Sequence, residues 1–448
     1  MDIGHTPSGS AGPVGWLHVL RFEDLPLPVV RQAKRCLLDL LGVASAGQGT
    51  RMAGITANFA AAQLGGSPGA RILFDGRRVS PSGAAFAGAS MIDSFDAHDG
   101  HALTKGHAGV AILPAVLALA DSGARMDGRE LLTSIVLGYE VATRAGIALH
   151  ASACDYHTSG AWNALACAAV GARHLGLDPA RTREALGTAE YHGPRSQMMR
   201  CIAYPSMVKD GSGWGALAGL SAAYLARDGF TGAPAITVED AAHAALWADL
   251  GQRWRILEQY FKPYPVCRWA QPAMEAAAML LRTHRLESSR IARIEVRTFT
   301  EAAALAVAAP RTTEEAQYSL PFPLAALLVH GAVGADAIAG PGLRDEAVVR
   351  LAERVALVAD PQFSARFPAE RIAQVTLVLD DGTALRSEPT TARGGTDSPL
   401  SDAEVSAKFH RLATSLPSGR RHRIEDEVGR LDCGANVSAL LDAVLEAA

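Results

Sequence analysis

Residues 129–149 read RELLTSIVLGYEVATRAGIAL, and residues 109–123 just before them read GVAILPAVLALADSG. Apolar side chains recur in both stretches every three or four residues, which is the spacing of one face of an α-helix. Ala and Gly recur between them, so these helices can pack closely on several sides. The pattern predicts helices buried inside a bundle or against a second subunit.

The same helical spacing extends from Leu25 to about Ala226, with short Gly or Pro breaks between segments. After Pro263 the pattern changes. In residues 290–299, RIARIEVRTF, apolar and polar side chains alternate and β-branched residues are frequent, as in a strand. Residues 373–388, AQVTLVLDDGTALRSE, place Asp-Gly between two short strands, a strong hairpin signal. The sequence therefore predicts a mainly α protein with a large all-helical domain and a smaller α+β domain that begins near Lys262.

Size and composition agree with a globular enzyme. The chain has 448 residues, more than one hydrophobic core usually serves, so two domains are expected. Hydrophobic residues make up 49% and charged residues 20%, which argues against a largely disordered chain. The formal net charge of −4 gives no support to nucleic-acid binding, which normally requires a basic surface.

Cysteine usage and hydropathy favour a soluble protein of the cytoplasm. The six cysteines lie far apart without a C-x-x-C pair, so neither a disulfide framework nor a zinc set is indicated. The first 15 residues lack the basic and then apolar order of a signal peptide. Apolar runs fall short of the roughly 18 residues that a membrane-spanning helix needs.

The densest group of titratable side chains lies in residues 91–114, MIDSFDAHDGHALTKGHAGVAILP, directly before an apolar helix. Titratable groups cluster at active sites, and a helix N-terminus attracts anions, so His107 and the following amides are candidates to hold a carboxylate. Alternatively, the segment is a solvated turn that caps the helix. A metal site built from Asp96, His98, Asp99 and His101 is a further alternative, although the spacing matches no common metal-binding motif.

Three other segments carry candidate chemistry. His157 lies in DYHTSG, at a boundary between two helical segments. Arg195, Arg200 and Lys209 lie in a Gly- and Pro-punctuated segment that leads to GSGWG, where small residues allow close backbone approach to a carboxylate. Lys262 lies at the proposed domain junction, where ligands commonly bind. Alternatively, His157 is a structural histidine held by hydrogen bonds. The segment with Arg195, Arg200 and Lys209 could likewise be a solvated basic loop.

The order of these segments resembles the MmgE/PrpD family over almost the whole chain. The matching blocks include LPLPVVRQAKRCLLDLLGVASAG, GHAGVAILPAVLALAD, LGYEVATRAG, DYHTSGAWNALACAA, VKDGSGWGALAGLSAAYLARDGFTGAP, KPYPVCRWAQPAMEAA, AQYSLPFPLAALLVHG and SDAEVSAKF. The resemblance implies a helical domain formed by residues 1–262 and 400–448, with an α+β lid domain at 263–399 inserted between them. It also implies a homodimer, an active site between helical domain and lid, and no cofactor.

Carried over residue by residue, the resemblance implies the catalytic positions Asp96 or Asp99, His107, His157, Lys209 and Lys262. The segments themselves offer candidate substrate-binding residues: His101, Lys105, Arg195, Arg200 and Tyr318. Asp99 and His101 are alternatives to Asp96 for the catalytic role, because the loop differs from the family pattern. Phe322 stands where the family often has tyrosine, so a phenol cannot supply a proton from that position.

These residues predict a lyase that abstracts a proton α to a carboxylate of a small polycarboxylate. Lysines and arginines would hold the carboxylates, while one histidine acts as base and the other protonates the leaving hydroxyl. We expect dehydration of a 2-methylcitrate-like acid first, with epimerisation or decarboxylation of a related acid as alternatives. A metal-dependent hydrolase and a non-catalytic polycarboxylate-binding dimer remain as alternatives of other classes.

Overall fold

The structure is a computed structural model that describes residues 12–123 and 126–447. The chain is mainly α-helical, as predicted. The first twelve helices are α1 Gly12–Val19, α2 Leu27–Gly47, α3 Arg51–Gln63, α4 Pro81–Asp93, α5 Gly109–Asp121, α6 Gly128–Ser152, α7 Gly160–His174, α8 Pro179–His192, α9 Met198–Ala203, α10 Ser212–Arg227, α11 Ile236–Glu239 and α12 Ala244–Trp247. Short strands accompany them: β1 Ala70–Arg71, β2 Arg78–Val79, β3 Gly100–His101 and β4 Gln259–Tyr260.

Helices α7 and α10 approach each other closely because glycines face the contact. A Cβ on Gly160 would lie 2.3 Å from the carbonyl oxygen of Gly211, and a Cβ on Gly219 would lie 2.2 Å from that of Ala164. Either distance is far below van der Waals contact, so a larger residue would push the two helices apart. The GSGWG segment therefore serves helix packing at the start of α10.

The helix that the first quoted segment predicts is the longest in the described part of the chain. It is α6, and its N-cap Asp127 accepts a hydrogen bond from the amide of Glu130. Among the described residues, α6 is the one helix long and apolar enough to cross a membrane. However, 94% of its most apolar window is buried inside the protein, as expected of a core helix.

The second part of the chain contains a five-stranded sheet. Its strands are β5 Ile291–Thr298, β6 Val355–Ala359, β7 Ile372–Leu379, β8 Ala384–Arg386 and β9 Thr390–Thr391. The sheet order is β6-β5-β7-β8, with β9 also paired to β7, and all pairs are antiparallel except β5 with β6. The predicted hairpin is confirmed, and its Gly382 has a φ of 85°, which favours glycine.

The later helices are α13 Gln271–His284, α14 Thr300–Ala303, α15 Thr313–Gln317, α16 Pro321–His330, α17 Glu346–Ala352, α18 Pro361–Ser364, α19 Asp402–Leu412, α20 Ser418–Arg430 and α21 Ser438–Leu445. Helix α13 packs against β7 of the sheet. Helix α19 begins with a reciprocal capping box formed by Ser401 and Glu404.

Helix α19 returns to the first part of the chain and packs on α2. Nζ of Lys408 lies 2.6 Å from Oδ1 of Asp39 and donates a 2.7 Å hydrogen bond to the carbonyl oxygen of Ala97. The buried ion pair joins α19 to α2, and the hydrogen bond joins α19 to the loop that follows α4. The proposed domain bounds at 262 and 400 stay a prediction.

Candidate active site

The loop between α4 and α5 is buried although it carries the densest group of titratable side chains. Helix α4 begins at an N-cap Ser80 followed by Pro81 and ends at Asp93, and α5 begins at Gly109. Five titratable residues of the loop are at most 9% exposed: Asp96, His98, Asp99, His101 and His107. Charged side chains are rarely buried unless they are paired, so the partners of this loop reveal its role.

Asp96 forms a buried ion pair with Lys262. Nζ of Lys262 lies 2.6 Å from Oδ1 of Asp96 and 3.2 Å from its carbonyl oxygen. Burial by itself would raise the pKa of Asp96, but the charges of Lys262 and Lys209 outweigh it and hold this pKa well below its usual range. Burial would also lower the pKa of Lys262, yet Asp96 raises it. Both groups are therefore charged at neutral pH.

Lys209 is the second buried ammonium group of this cluster, and Gln317 at the end of α15 connects it to Asp96. Oε1 of Gln317 accepts a 2.7 Å hydrogen bond from Nζ of Lys209 and a 2.8 Å hydrogen bond from the amide of Asp96. Nζ of Lys209 also lies 4.6 Å from the ring centroid of Tyr318, a cation–π contact. The backbone of Lys209 has a φ of 44°, a strained conformation for a residue other than glycine.

His107 is fixed in one tautomer by the backbone of Asp99. Its Nδ1–H donates a 2.5 Å hydrogen bond to the carbonyl oxygen of Asp99, so the neutral ring carries its lone pair on Nε2. Asn163 and Ser159 hold the backbone of His107, at 3.1 Å from its carbonyl oxygen and 3.0 Å from its amide respectively. Burial, followed by the charges of His98 and Lys262, lowers the pKa of His107 well below its usual value.

His98 packs against His107 and faces the carboxylates. The two ring centroids are 4.1 Å apart, and Nε2 of His98 lies 3.7 Å from Oδ1 of Asp93 and 3.8 Å from Oδ1 of Asp96. Neither ring nitrogen of His98 has a hydrogen-bond partner within residues 12–123 and 126–447. Burial and the charge of Lys262 lower the pKa of His98 to about 3, so this ring is neutral at pH 7.

Asp96, His98 and His107 together meet the distances of a metal site. One possible ligand atom from each lies within 4.8 Å of the others. These ligand atoms lie beside the ammonium group of Lys262, which pairs with Asp96. The charge of Lys209 also acts on Asp96. Each ammonium group repels a divalent cation and attracts a carboxylate.

Three further carboxyl groups around the cluster titrate near neutral pH. Burial raises the pKa of Asp93 to about 6, and burial with the charge of Asp93 raises that of Asp210 to about 7. Burial likewise raises the pKa of Asp99 to about 7. Carboxyl groups that keep a proton at neutral pH can act as acids, which ordinary surface carboxylates cannot do.

The chain matches two family models that together cover most of its length. The MmgE/PrpD N-terminal domain matches residues 14–249, and the MmgE/PrpD C-terminal domain matches residues 264–432. The chain belongs to the MmgE/PrpD family. The resemblance stated from the sequence is thereby confirmed, and family membership supports lyase activity.

Curated relatives of this MmgE/PrpD protein cover nearly its full length at low identity. A cis-aconitate decarboxylase-like protein of Aspergillus oryzae is 26% identical over 97% of both chains. A cis-aconitate decarboxylase of Aspergillus terreus is 24% identical, over 95% of this chain and 94% of the relative. The human cis-aconitate decarboxylase is 25% identical, over 90% of this chain and 87% of the relative.

The structure brings four of the six predicted catalytic residues of this family member into one cluster, namely Asp96, His107, Lys209 and Lys262, and Tyr318 lies beside it. Asp99 contributes its carbonyl oxygen, because its carboxylate accepts a hydrogen bond from Tyr139 on the opposite side. The imidazole of His157 is partly exposed, and its Nδ1–H donates a 3.0 Å hydrogen bond to the carbonyl oxygen of Asp155.

The other predicted substrate-binding residues lie apart from this cluster. Nε2 of His101 is 2.9 Å from Oε2 of Glu258, and Nζ of Lys105 lies 5.0 Å from the ring centroid of Tyr156. Arg195 and Arg200 are exposed. Phe322 is fully buried in α16, and the aromatic ring that contacts Lys209 is that of Tyr318.

Sequence reasoning missed two members of the cluster, Asp210 and Gln317. It placed His98 only in the alternative metal site, and it gave Asp93, in the same titratable segment, no role. Asp210 directly follows Lys209, which was the one signal available for it. Gln317 carries no signal, since a single amide side chain reveals its role only through its partners.

Proposed function

We propose that this protein is a decarboxylase that acts on a small unsaturated polycarboxylate of the cis-aconitate class. The observation that carries the proposal is the pair of buried ammonium groups, Lys209 and Lys262, beside two neutral imidazoles. The relatives described above are cis-aconitate decarboxylases, which favours loss of carbon dioxide over the dehydration expected first from the sequence.

The charge of the cluster suits a polyanionic substrate. Lys209 and Lys262 are positive, Asp96 is negative, and His98 and His107 are neutral at pH 7 because of their lowered pKa values. The two ammonium groups attract substrate carboxylates, and the buried setting strengthens that attraction relative to water. A fixed ammonium group is also suited to stabilise a carboxylate on which negative charge accumulates during the reaction.

The reaction is the decarboxylation of a β,γ-unsaturated acid. The bond between the lost carboxylate and its carbon breaks, carbon dioxide leaves, and the electron pair forms a new double bond to the neighbouring carbon. The electrons of the old double bond move to the γ-carbon, which takes one proton. Nε2 of His107 is the nitrogen available to deliver that proton, because Nδ1–H is bound to the carbonyl oxygen of Asp99.

Dehydration and epimerisation would use the same residues in a different order. In both reactions the neutral imidazole of His107 first removes a proton α to a carboxylate, and the ammonium groups stabilise the resulting negative charge. The three reactions therefore differ in what leaves: carbon dioxide, water or nothing. A measurement that identifies the leaving group separates them.

Proton NMR in deuterated water tests the proposal with a panel of aconitate-, citrate-, methylcitrate- and iminodisuccinate-like acids. We expect the aconitate-like acid to give a new alkene that contains one carboxylate fewer and one deuteron at carbon. Lys209→Ala should abolish this product, because it removes one of the two buried cations. An alkene that arises from a hydroxy acid, with all carboxylates retained, would establish a dehydratase instead.

A further inference from the structure

Asp210 faces the nitrogen of His107 that is free to react. Its Oδ2 lies 3.9 Å from Nε2 of His107 and accepts a 2.7 Å hydrogen bond from the hydroxyl of Ser159. The same hydroxyl accepts a 3.0 Å hydrogen bond from the amide of His107. Ser159 thus connects the backbone of His107 to the carboxyl group of Asp210.

The second oxygen of Asp210 is buried without a partner. Asp210 is 3% exposed, and its Oδ1 has no hydrogen-bond partner in the part of the chain that the structure describes. A buried carboxylate oxygen without a donor is costly, whereas a protonated carboxyl group lowers that cost and gains a proton to donate.

The backbone presents Asp210 to the cluster at some conformational cost. Lys209 before it has a φ of 44°, and Gly211 after it has a φ of 65°. The amide of Gly160, at the start of α7, donates a 2.9 Å hydrogen bond to the carbonyl oxygen of Asp210. Strained conformations persist where the surrounding structure enforces them, commonly at functional sites.

His107 needs a source of protons if it is to act as the acid. Its lowered pKa leaves the ring unprotonated at neutral pH, and its one ring proton, on Nδ1, is held by the carbonyl oxygen of Asp99. A decarboxylase consumes one proton at carbon in each turnover. A neighbouring carboxyl group that is still protonated at neutral pH can supply it.

We propose that Asp210 is a positioning residue that controls the protonation of His107 by passing a proton to Nε2. This inference rests on the proposed function for its role in turnover. In the forward step the 3.9 Å separation closes to hydrogen-bond distance, the O–H bond of Asp210 breaks and an N–H bond forms at Nε2 of His107. The imidazolium then gives this proton to the γ-carbon as carbon dioxide leaves, and a proton from solvent restores Asp210.

The charged surroundings of Asp210 set the pH range of this transfer. Burial and the charge of Asp93 raise its pKa to about 7, the Ser159 hydroxyl and Lys209 oppose the rise, and Asp96 adds to it. The titratable groups that face it from the packed elements are Asp93, Asp96, His107, Tyr156, Cys201, Lys209 and Tyr318. The protonated form is the donor, so turnover falls as the pH rises through about 7.

Histidine NMR tests the coupling without any substrate. The intact protein carries 14 histidines, so ¹⁵N-histidine labelling with His107→Gln as the assignment variant resolves the signal of His107. We expect the ¹⁵N chemical shift of Nε2 in His107 to change in a step near pH 7, as Asp210 ionises. Asp210→Asn should remove that step from the titration curve. A step that survives in Asp210→Asn, or its absence from the unaltered protein, would overturn the proposal.

The pH profile of turnover tests the role in catalysis. We expect Asp210→Asn to lower kcat by about 10²-fold with little change in KM, and to remove the fall above pH 7. An amide still accepts the hydrogen bond of Ser159, so the loop keeps its position. Asp99→Asn is the matched control, because this carboxyl group also has a pKa of about 7 but contacts Tyr139, so the fall should remain.

The two experiments separate failure of the inference from failure of the proposed function. If no acid of the panel is decarboxylated but the NMR step is present and depends on Asp210, the proton relay stands and the reaction must be reassigned. If the decarboxylation occurs and Asp210→Asn keeps the full kcat and the fall above pH 7, the relay is wrong.

Discussion

The ammonium group of Lys209 and the amide oxygen of Gln317 are 2.7 Å apart, although the two residues are separated by 108 positions in the chain. The same amide oxygen accepts the backbone N–H of Asp96. One neutral side chain thus sets the distance between a candidate substrate-binding cation and the loop that carries the imidazoles.

Removing this acceptor should weaken both folding and catalysis. In Gln317→Leu the ammonium of Lys209 and the amide of Asp96 lose a buried hydrogen-bond partner, which costs about 1–3 kcal/mol for each group. We expect kcat/KM to fall by about 10- to 100-fold, since Lys209 is free to turn away from the substrate. Steady-state kinetics provide the test. Gln317→Glu is the control, because its charge neutralises Lys209 and should raise KM in particular.

The buried pair of Lys262 and Asp96 should make a large contribution that depends on pH. Lys262→Met leaves an uncompensated buried carboxylate, which costs about 3–5 kcal/mol in the free energy of unfolding. The pKa of Asp96 is lowered in the folded protein, so its contribution is present above the usual value of 3.8 and is lost as the pH falls through the folded pKa. The destabilisation should therefore be greater at pH 7 than at pH 3.

An exposed ion pair provides the comparison for that measurement. Arg366 and Glu370 form an i,i+4 pair in which the side chains are 50% and 46% exposed. Glu370→Gln should change the free energy of unfolding by about 0–1 kcal/mol. If Lys262→Met costs no more than Glu370→Gln in urea unfolding at pH 7, the buried pair does not have the assigned role.

Asp99 should destabilise the folded protein at alkaline pH. The pKa of Asp99 in the folded protein, about 7, exceeds the usual 3.8. The contribution of Asp99 to the free energy of unfolding is therefore fully present below pH 3.8 and is lost as the pH rises through about 7. Asp99→Asn lacks this ionisation. The melting temperature of the variant relative to the unaltered protein should rise between pH 5 and pH 8, as measured by calorimetry. A difference that stays flat over this range would contradict the assigned burial.

Gly160→Ala should separate α7 from α10 and displace the segment that carries Lys209 and Asp210. The added Cβ would lie 2.3 Å from the carbonyl oxygen of Gly211. We expect loss of turnover and a cost of about 1–3 kcal/mol in unfolding free energy. Gly54→Ala is the control, since a Cβ there meets nothing within 4 Å and α3 should gain about 0.5–1 kcal/mol. Equal behaviour of the two variants would exclude the close approach as the cause.

The helices and the hairpin could be predicted because apolar periodicity and turn residues can each be recognised within a short stretch of sequence. The apolar spacing of 129–149 became α6, and Asp381-Gly382 became the turn between β7 and β8. The same kind of signal found Asp96 and His107, because they lie in one dense polar segment ahead of a helix.

Long-range partners decided the rest of the site. Asp99 and Asp96 are alike in sequence, but only the carboxylate of Asp96 reaches Lys262, while that of Asp99 faces Tyr139. Asp210 and Gln317 acquire their roles from contacts with residues far away in the chain. A single sequence contains no periodic or compositional trace of such contacts.

The most direct test of the proposed decarboxylation traces the carboxylate carbon that is lost as carbon dioxide. The protein is incubated in deuterated water with a cis-aconitate-like acid that carries ¹³C in every carboxylate, and both gas and solution are analysed. The account predicts one equivalent of labelled carbon dioxide for each alkene product, one deuteron at carbon in that product, and neither with Lys209→Ala. A product that retains all its labelled carboxylates would contradict it.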